Sequence, residues 1–212
     1  SRNSYINRVF ELELAASRDR VIVKFYRPER WTKSMIQTEH DLLANLAIEE
    51  LAVIPPINYD GQTLFEFEGV FFAVFPKKGG RTMDELDKDQ WQQIGRLIGR
   101  MHAISGNMEH PDRIIWRPQN ATSKHLEVLG ALKVIPKDYQ QIFFSTVNSF
   151  ISKYDSLFSK KEFILLHGDC HPGNFIYRPG EGIYIIDFDD MCIGPIAQDL
   201  WMLLPDEFDK CE

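Results

Sequence analysis

Apolar and acidic residues alternate in VFELEL (Val9–Leu14), the pattern of a strand with one face buried. A polar turn, ASRDR (Ala16–Arg20), leads into RVIVKFY (Arg20–Tyr26). That run predicts a second strand, with Val21, Val23 and Phe25 on one side and Ile22, Lys24 and Tyr26 on the other. After Pro28 the apolar period lengthens from two to between three and four. Thr32 is placed to cap a helix running to about Leu51, with Ile36, Glu39, Leu43, Leu46 and Glu50 near one side and Pro55-Pro56 as its stop. LFEFEGVFFAVFP (Leu64–Pro76) predicts a hairpin turning near Glu68-Gly69. Its second arm is almost wholly apolar, so it is expected in the middle of a sheet.

KKGGR (Lys77–Arg81) is short, polar and glycine-bearing, the best linker candidate in the chain. Beyond it the pattern is helical. Asp87 followed by Gln90 resembles a capping box, and Trp91, Ile94, Ile98 and Met101 form an apolar stripe. A second helix fits Lys137 to Phe158, with Phe143, Val147, Phe150, Tyr154 and Leu157 at helical spacing. The pattern between about Ser105 and Val134 is weak. These elements predict a small β-rich lobe (1–76), a linker (77–81) and a larger helical lobe (82–212).

Composition narrows the reading. The 212 residues are 44% hydrophobic with 15 Phe, enough for a sizeable core, and 26% charged, as in ordinary globular proteins. A net charge of −7 argues against a nucleic-acid backbone binder. Three cysteines (Cys170, Cys192, Cys211) without a CxxC do not make a disulfide framework and suit a reducing cytoplasm. No apolar run reaches the length of a membrane span. A monomer acting away from membranes is expected.

The chemistry is concentrated in LLHGDCHPGNFIYRPGEGIYIIDFDD (Leu165–Asp190). The run follows one predicted strand, FILL, and contains a hairpin, FIYR–PGEG–IYIID. Asn174 and Asp187 would stand at facing ends of that hairpin, where their oxygens could converge on a hard cation such as magnesium. Asp169 would lie nearby as a carboxylate without metal duty, suited to orienting an attacking hydroxyl and accepting its proton.

HGDCHPGN, with IIDFDD downstream in this order and spacing, resembles the catalytic loop and metal segment of the aminoglycoside phosphotransferase and choline kinase family. The resemblance implies an α+β, protein-kinase-like fold of two lobes, using ATP as phosphoryl donor and Mg2+. It assigns Asp169 as the catalytic carboxylate and Asn174 and Asp187 as metal holders. It matches Lys24 to the lysine that anchors the ATP phosphates and Glu39 to its partner. FAVFP with KKGG matches the adenine-binding hinge, which places Phe75 at the nucleotide, and Asp199 in GPIAQDLWMLL matches a structural buttress. SYINRVFELE, KFYRPERW and GGR are similar to a bacterial branch of the family that phosphorylates protein Ser/Thr. There the serine equivalent to Ser4 contacts ATP, although this loop contains no glycine. Family members carry a further N-terminal strand and further C-terminal helices, so an abbreviated relative is expected.

Other readings stand beside this one. The acceptor could be a small hydroxylated molecule of the aminoglycoside, choline or homoserine type, or the chain could hold nucleotide without turnover. His167, after an apolar strand, reads as a buried histidine bonded to backbone, and His171 as similar. Cys170 between two histidines does not have the spacing of a zinc site and reads as an inert small residue. Asp189 and Asp190 either assist the metal or, preferably, cap a turn. Lys77, Lys78 and Arg81 are either a solvated linker or an attractor of phosphates. The four tryptophans, Trp31, Trp91, Trp116 and Trp201, are expected as core or interface anchors.

Overall fold

The computed structural model of the chain describes residues 7–83, 86–108, 112–158 and 162–204. Ser4 lies outside the described residues.

Strands β1 (Arg8–Glu13) and β2 (Arg20–Phe25) pair antiparallel, with Val9 opposite Lys24. β3 (Phe65–Phe67) and β4 (Val70–Pro76) form the expected hairpin. Glu68 and Gly69 both take positive φ at its turn (49° and 77°), the twist that a two-residue hairpin prefers. The sheet runs β1-β2-β4-β3, so the apolar β4 is central. Phe10, Phe25, Phe72 and Phe65 make successive ring contacts across one face at 5.5–5.9 Å.

Helix α1 (Lys33–Ile48) starts where Thr32 accepts a hydrogen bond from the Met35 amide. It ends before the prolines. Glu50 turns left-handed (φ 57°), its amide donates to Ala47 and that of Leu51 to Leu46, a Schellman stop with glutamate in the usual glycine position. Glu50 therefore falls outside the helix. The buried face is Ile36, Glu39, His40, Leu42, Leu43 and Leu46.

The expected linker runs into β5 (Arg81–Thr82), which pairs with β7 (Phe175–Arg178). Helix α2 (Lys88–Ser105) opens on the full Asp87–Gln90 capping box and buries Ile94, Ile98 and Met101. The weakly patterned segment contains a π-helical turn (Pro118–Thr122) and α3 (Ser123–Leu132). Helix α4 (Lys137–Tyr154) gives way to a 3-10 turn, and its buried residue is Ile151. The expected stripe is thus off register: Phe150 and Leu157 are exposed. β6 (Phe163–Leu166) pairs with β9 (Cys192–Pro195), and β7 pairs with β8 (Gly182–Ile185).

One apolar cluster joins α1 and α2 to this second set of strands through Leu42, Leu46, Ile98, Leu165, Phe175 and Ile185. Each such fully buried side chain contributes about 1.5–3 kcal/mol. Trp91 packs against this cluster, whereas Trp116 and Trp201 are exposed and are not core anchors. No described helix is long and apolar enough to cross a membrane.

Candidate active site

Lys24 lies on β2 and points toward α1. There its Nζ donates to Glu39 Oε1 at 3.1 Å, as expected from the sequence. Two further carboxylates face the same ammonium, Asp189 at 3.2 Å and Asp187 at 3.8 Å. Burial pulls the Lys24 pKa down, but Glu39, Tyr26, Asp189 and Asp187 together hold it well above its ordinary value. The side chain is a fixed cation.

The hairpin geometry brings the other candidates to the same place. Phe175 pairs with Ile185, and the Ile186 amide donates to the Asn174 carbonyl, so Asn174 and Asp187 flank one ladder end. Asn174 Nδ2 donates to the Asp169 carbonyl at 2.8 Å and approaches Asp169 Oδ2 at 3.4 Å. That commitment of the amide nitrogen leaves Oδ1 as the end a cation can take. Asp187 takes the left-handed conformation (φ 63°, ψ 64°), and its side chain is 55% exposed beside Lys24. An amide oxygen and an accessible carboxylate beside a fixed cation fit a hard divalent ion accompanied by phosphate.

Beneath these residues is a hydrogen-bonded frame. His167 is fully buried. Its Nδ1 accepts from the Asp169 amide at 3.2 Å and its Nε2 donates to the Ile186 carbonyl at 2.9 Å, tying the loop of Asp169 to the loop of Asp187. The backbone-bonded histidine expected from sequence is therefore present. His171 is different: it is half-exposed, with Nδ1 accepting from Gly173 and Nε2 3.6 Å from Asp169. Asp199 accepts from the His167 amide (3.0 Å), the Gly168 amide (2.7 Å) and His102 Nε2 (2.9 Å). Burial pushes the Asp199 carboxyl up, but the hydrogen bond from His102 and the neighbouring donors hold it below the usual range. Gly168 has φ +87°, and a Cβ there would collide with the Asp190 carbonyl oxygen, so glycine is required on both counts.

A cleft of about 450 Å³ opens over Lys24, Glu39 and Asp187, with Val9, Ile22 and Phe75 among its apolar walls. Lys78 and Gly80 of the expected linker line its edge. Lys77 pairs with Glu11 (2.6 Å), and Lys78 bonds Tyr184 (3.1 Å) and faces Glu181 (3.6 Å), so both are engaged with the protein itself. Cys170 and Cys192 are buried free thiols. Burial raises both, Cys192 to about 12, which makes them unreactive.

Asp189 corrects the turn-cap reading. It is buried and held by Lys24 and Arg30; burial pushes its carboxyl up, but Lys24, a hydrogen bond from Asn7 and Arg30 together bring it below the usual range. Arg30 and Arg113, which donates to the Asp189 and Met191 carbonyls, were not singled out from sequence, nor was His102. Arg30 was visible inside KFYRPERW. Nothing local marked the other two.

The chain belongs to the phosphotransferase enzyme family, whose pattern it matches over residues 2–210. It is 37% identical over 207 residues to stress response kinase A of Escherichia coli (strain K12), covering 95% of this chain and 61% of that protein. It is 36% identical over 208 residues to the serine/threonine protein kinase RdoA of Salmonella typhimurium (strain LT2), with the same two coverages. The chain thus spans about three fifths of the length of these relatives. Among solved structures it resembles the amicoumacin kinase hAmiN in complex with AMP-PNP, Ca2+ and Ami (TM-score 0.73, 23% identity, 95% of this chain and 61% of that one). It also resembles the choline kinase LicA from Streptococcus pneumoniae (TM-score 0.67, 19% identity, 95% and 66%). At these identities the likeness is one of fold: α+β and protein-kinase-like.

Proposed function

We propose that the chain forms the catalytic core of a Mg2+- and ATP-dependent phosphotransferase whose acceptor is a Ser/Thr hydroxyl on a protein. The observation that carries this reading is the meeting of Lys24, Glu39 and Asp187 beneath one cleft, with Asn174 joined to it by the β7–β8 hairpin and Asp169 hydrogen-bonded to Asn174. The apolar walls around Phe75 would receive the adenine. Lys24, steadied by Glu39, would hold the phosphates, and Ser4 is proposed to close over them. Asn174 and Asp187 would hold Mg2+, which when bound neutralises charge on the transferring phosphoryl group. Asp169 would orient the acceptor hydroxyl and take its proton, while its own carbonyl keeps Asn174 in place. Positioning and charge do most of the work in such a transfer. We read 1–76 and 82–212 as the two lobes and 77–81 as the hinge, in a monomer of the cytoplasm.

The protein acceptor is supported by the 36–37% identity to relatives named as stress response and serine/threonine protein kinases. A small cationic alcohol is the second reading, permitted by the acidic balance of the chain, whose net charge is −7. Transfer of labelled phosphate from ATP to a panel of proteins and small alcohols tests both. Label on protein Ser/Thr supports the first reading, label on a small alcohol replaces it with the second, and label on neither rejects catalysis by this chain.

A further inference from the structure

The turn after β2 reaches across to the loop that carries Asp187. Arg30 Nη1 lies 3.4 Å from Asp189 Oδ2, and Nη2 donates to Asp190 Oδ1. The Arg30 guanidinium carbon sits 5.0 Å from the centre of the Trp31 ring, and that of Arg113 sits 5.3 Å from the same ring. Arg113 in turn grips the carbonyls of Asp189 (3.2 Å) and Met191 (3.3 Å). Two guanidiniums, both set against the Trp31 indole, therefore hold residues 189–191. Asp189 is 4% exposed. Its carboxylate is faced by Arg30, by Lys24 and by a side-chain hydrogen bond from Asn7.

This arrangement divides four carboxylates, Glu39, Asp187, Asp189 and Asp190, between two cations, Lys24 and Arg30. A buried carboxylate that loses a partner is left under-compensated, so Asp189 without Arg30 would lean harder on Lys24, already at 3.2 Å, and on the nearby Arg113. We propose that Arg30 is a positioning residue for the phosphate end of the cleft. It answers part of the charge of Asp189 and that of Asp190, so that Lys24 stays shared between Glu39 and Asp189 rather than drawn wholly to Asp189, and stays available to phosphate, and it anchors the segment next to Asp187. The role rests on the reading of Lys24 and Asp187 given above. It also requires a fork: one guanidinium spans the carboxylates of two adjacent residues, whereas a lysine reaches one at a time.

Calorimetry on the 212-residue chain with Mg-ATP and with adenosine tests it. In Arg30→Ala, Mg-ATP affinity should fall about tenfold or more while adenosine affinity stays within about twofold, and Arg30→Lys should fall between wild type and Arg30→Ala. Unchanged Mg-ATP affinity in Arg30→Ala overturns the proposal. So do equal losses for both ligands, which would mark general loosening rather than a lysine drawn off the phosphates. Should Arg30→Ala not fold, Arg30→Lys decides: wild-type Mg-ATP affinity there removes the need for a fork. A wild-type chain that binds no Mg-ATP defeats the proposed function instead. In that case the thermal-unfolding effects of Arg30→Lys and Asp190→Asn still test the clamp, and strict additivity between them rejects it.

Discussion

Asp199→Asn isolates the frame from the chemistry, because Asp199 touches neither nucleotide nor acceptor in the proposed scheme. Its Oδ2 accepts from the His167 amide and His102 Nε2, and its Oδ1 accepts from the Gly168 amide. An asparagine has one oxygen for these two sides. With that oxygen toward His167 and His102, its NH2 faces the Gly168 amide, and one buried donor is left without an acceptor, at about 1–3 kcal/mol. The remaining two bonds lose their charge assistance, about 1 kcal/mol each at most. The sum is a destabilisation of about 3 kcal/mol, or about 6–12 °C in Tm for a chain of this size. Urea and thermal unfolding measure it directly. The pH dependence supplies a second reading. The folded-state pKa of Asp199 is depressed, so its stabilisation is present above the unfolded carboxyl value of about 3.9 and is lost as pH falls through the folded value. That portion of the acid sensitivity should be missing from the asparagine variant. A loss below about 1 kcal/mol at neutral pH would refute the claim that three donors depend on one carboxylate.

Four further outcomes are expected. Asp169→Asn should lower phosphoryl transfer by about 10²–10⁴ while leaving Mg-ATP binding largely intact, and full activity would reject the assignment. Asp187→Ala should raise the Mg2+ concentration for half-maximal nucleotide binding about tenfold, and an unchanged Mg2+ titration would count against a metal role. Gly168→Ala should destabilise by more than the roughly 1–2 kcal/mol of a left-handed alanine, because the new methyl must displace the Asp190 carbonyl; a loss no larger than that would show the loop can yield. His40 is buried between Tyr26 and Thr63, and burial lowers its pKa from 6.5 to about 4. Above pH 6.5 it is neutral in both states. Below that, only the unfolded chain takes up the proton, so stability drops by about 3 kcal/mol toward pH 4. The wild-type advantage over His40→Gln in urea should shrink across that window, and a constant gap would refute it.

Local signals carried much of the fold. The Thr32 cap, the Asp87–Gln90 box and the Glu68-Gly69 turn each place a donor, acceptor or positive φ within four residues of what they serve. A reader of sequence can see such pairs whole. The end of α1 was misjudged for a related reason. Proline is a strong breaker, but the helix had already closed through Glu50, a residue type that does not announce a left-handed turn. On α4 the spacing was helical but the phase was not recoverable, since apolar residues lie on several sides and only packing decides that Ile151 goes inward.

The candidate site divides along the same line. Asn174 and Asp187 were legible because a single hairpin sets their spacing, a short-range fact of strand register, and Asp169 lies only five residues before Asn174, to which it is hydrogen-bonded. The groups that make those residues usable are paired across long stretches of chain: His102 with Asp199 over 97 positions, Arg113 with Asp189 over 76, and Arg30 with Asp190 over 160. No periodicity connects such residues. Their need for one another follows only from burial, because a charge removed from water must find an opposite charge or a set of donors. The acidic pair after Asp187 shows the consequence. Read locally, Asp189 and Asp190 are turn residues. Once Asp189 is known to be buried, a cation other than Lys24 becomes a physical requirement if Lys24 is to serve a ligand. The one described side chain whose guanidinium reaches both carboxylates is Arg30.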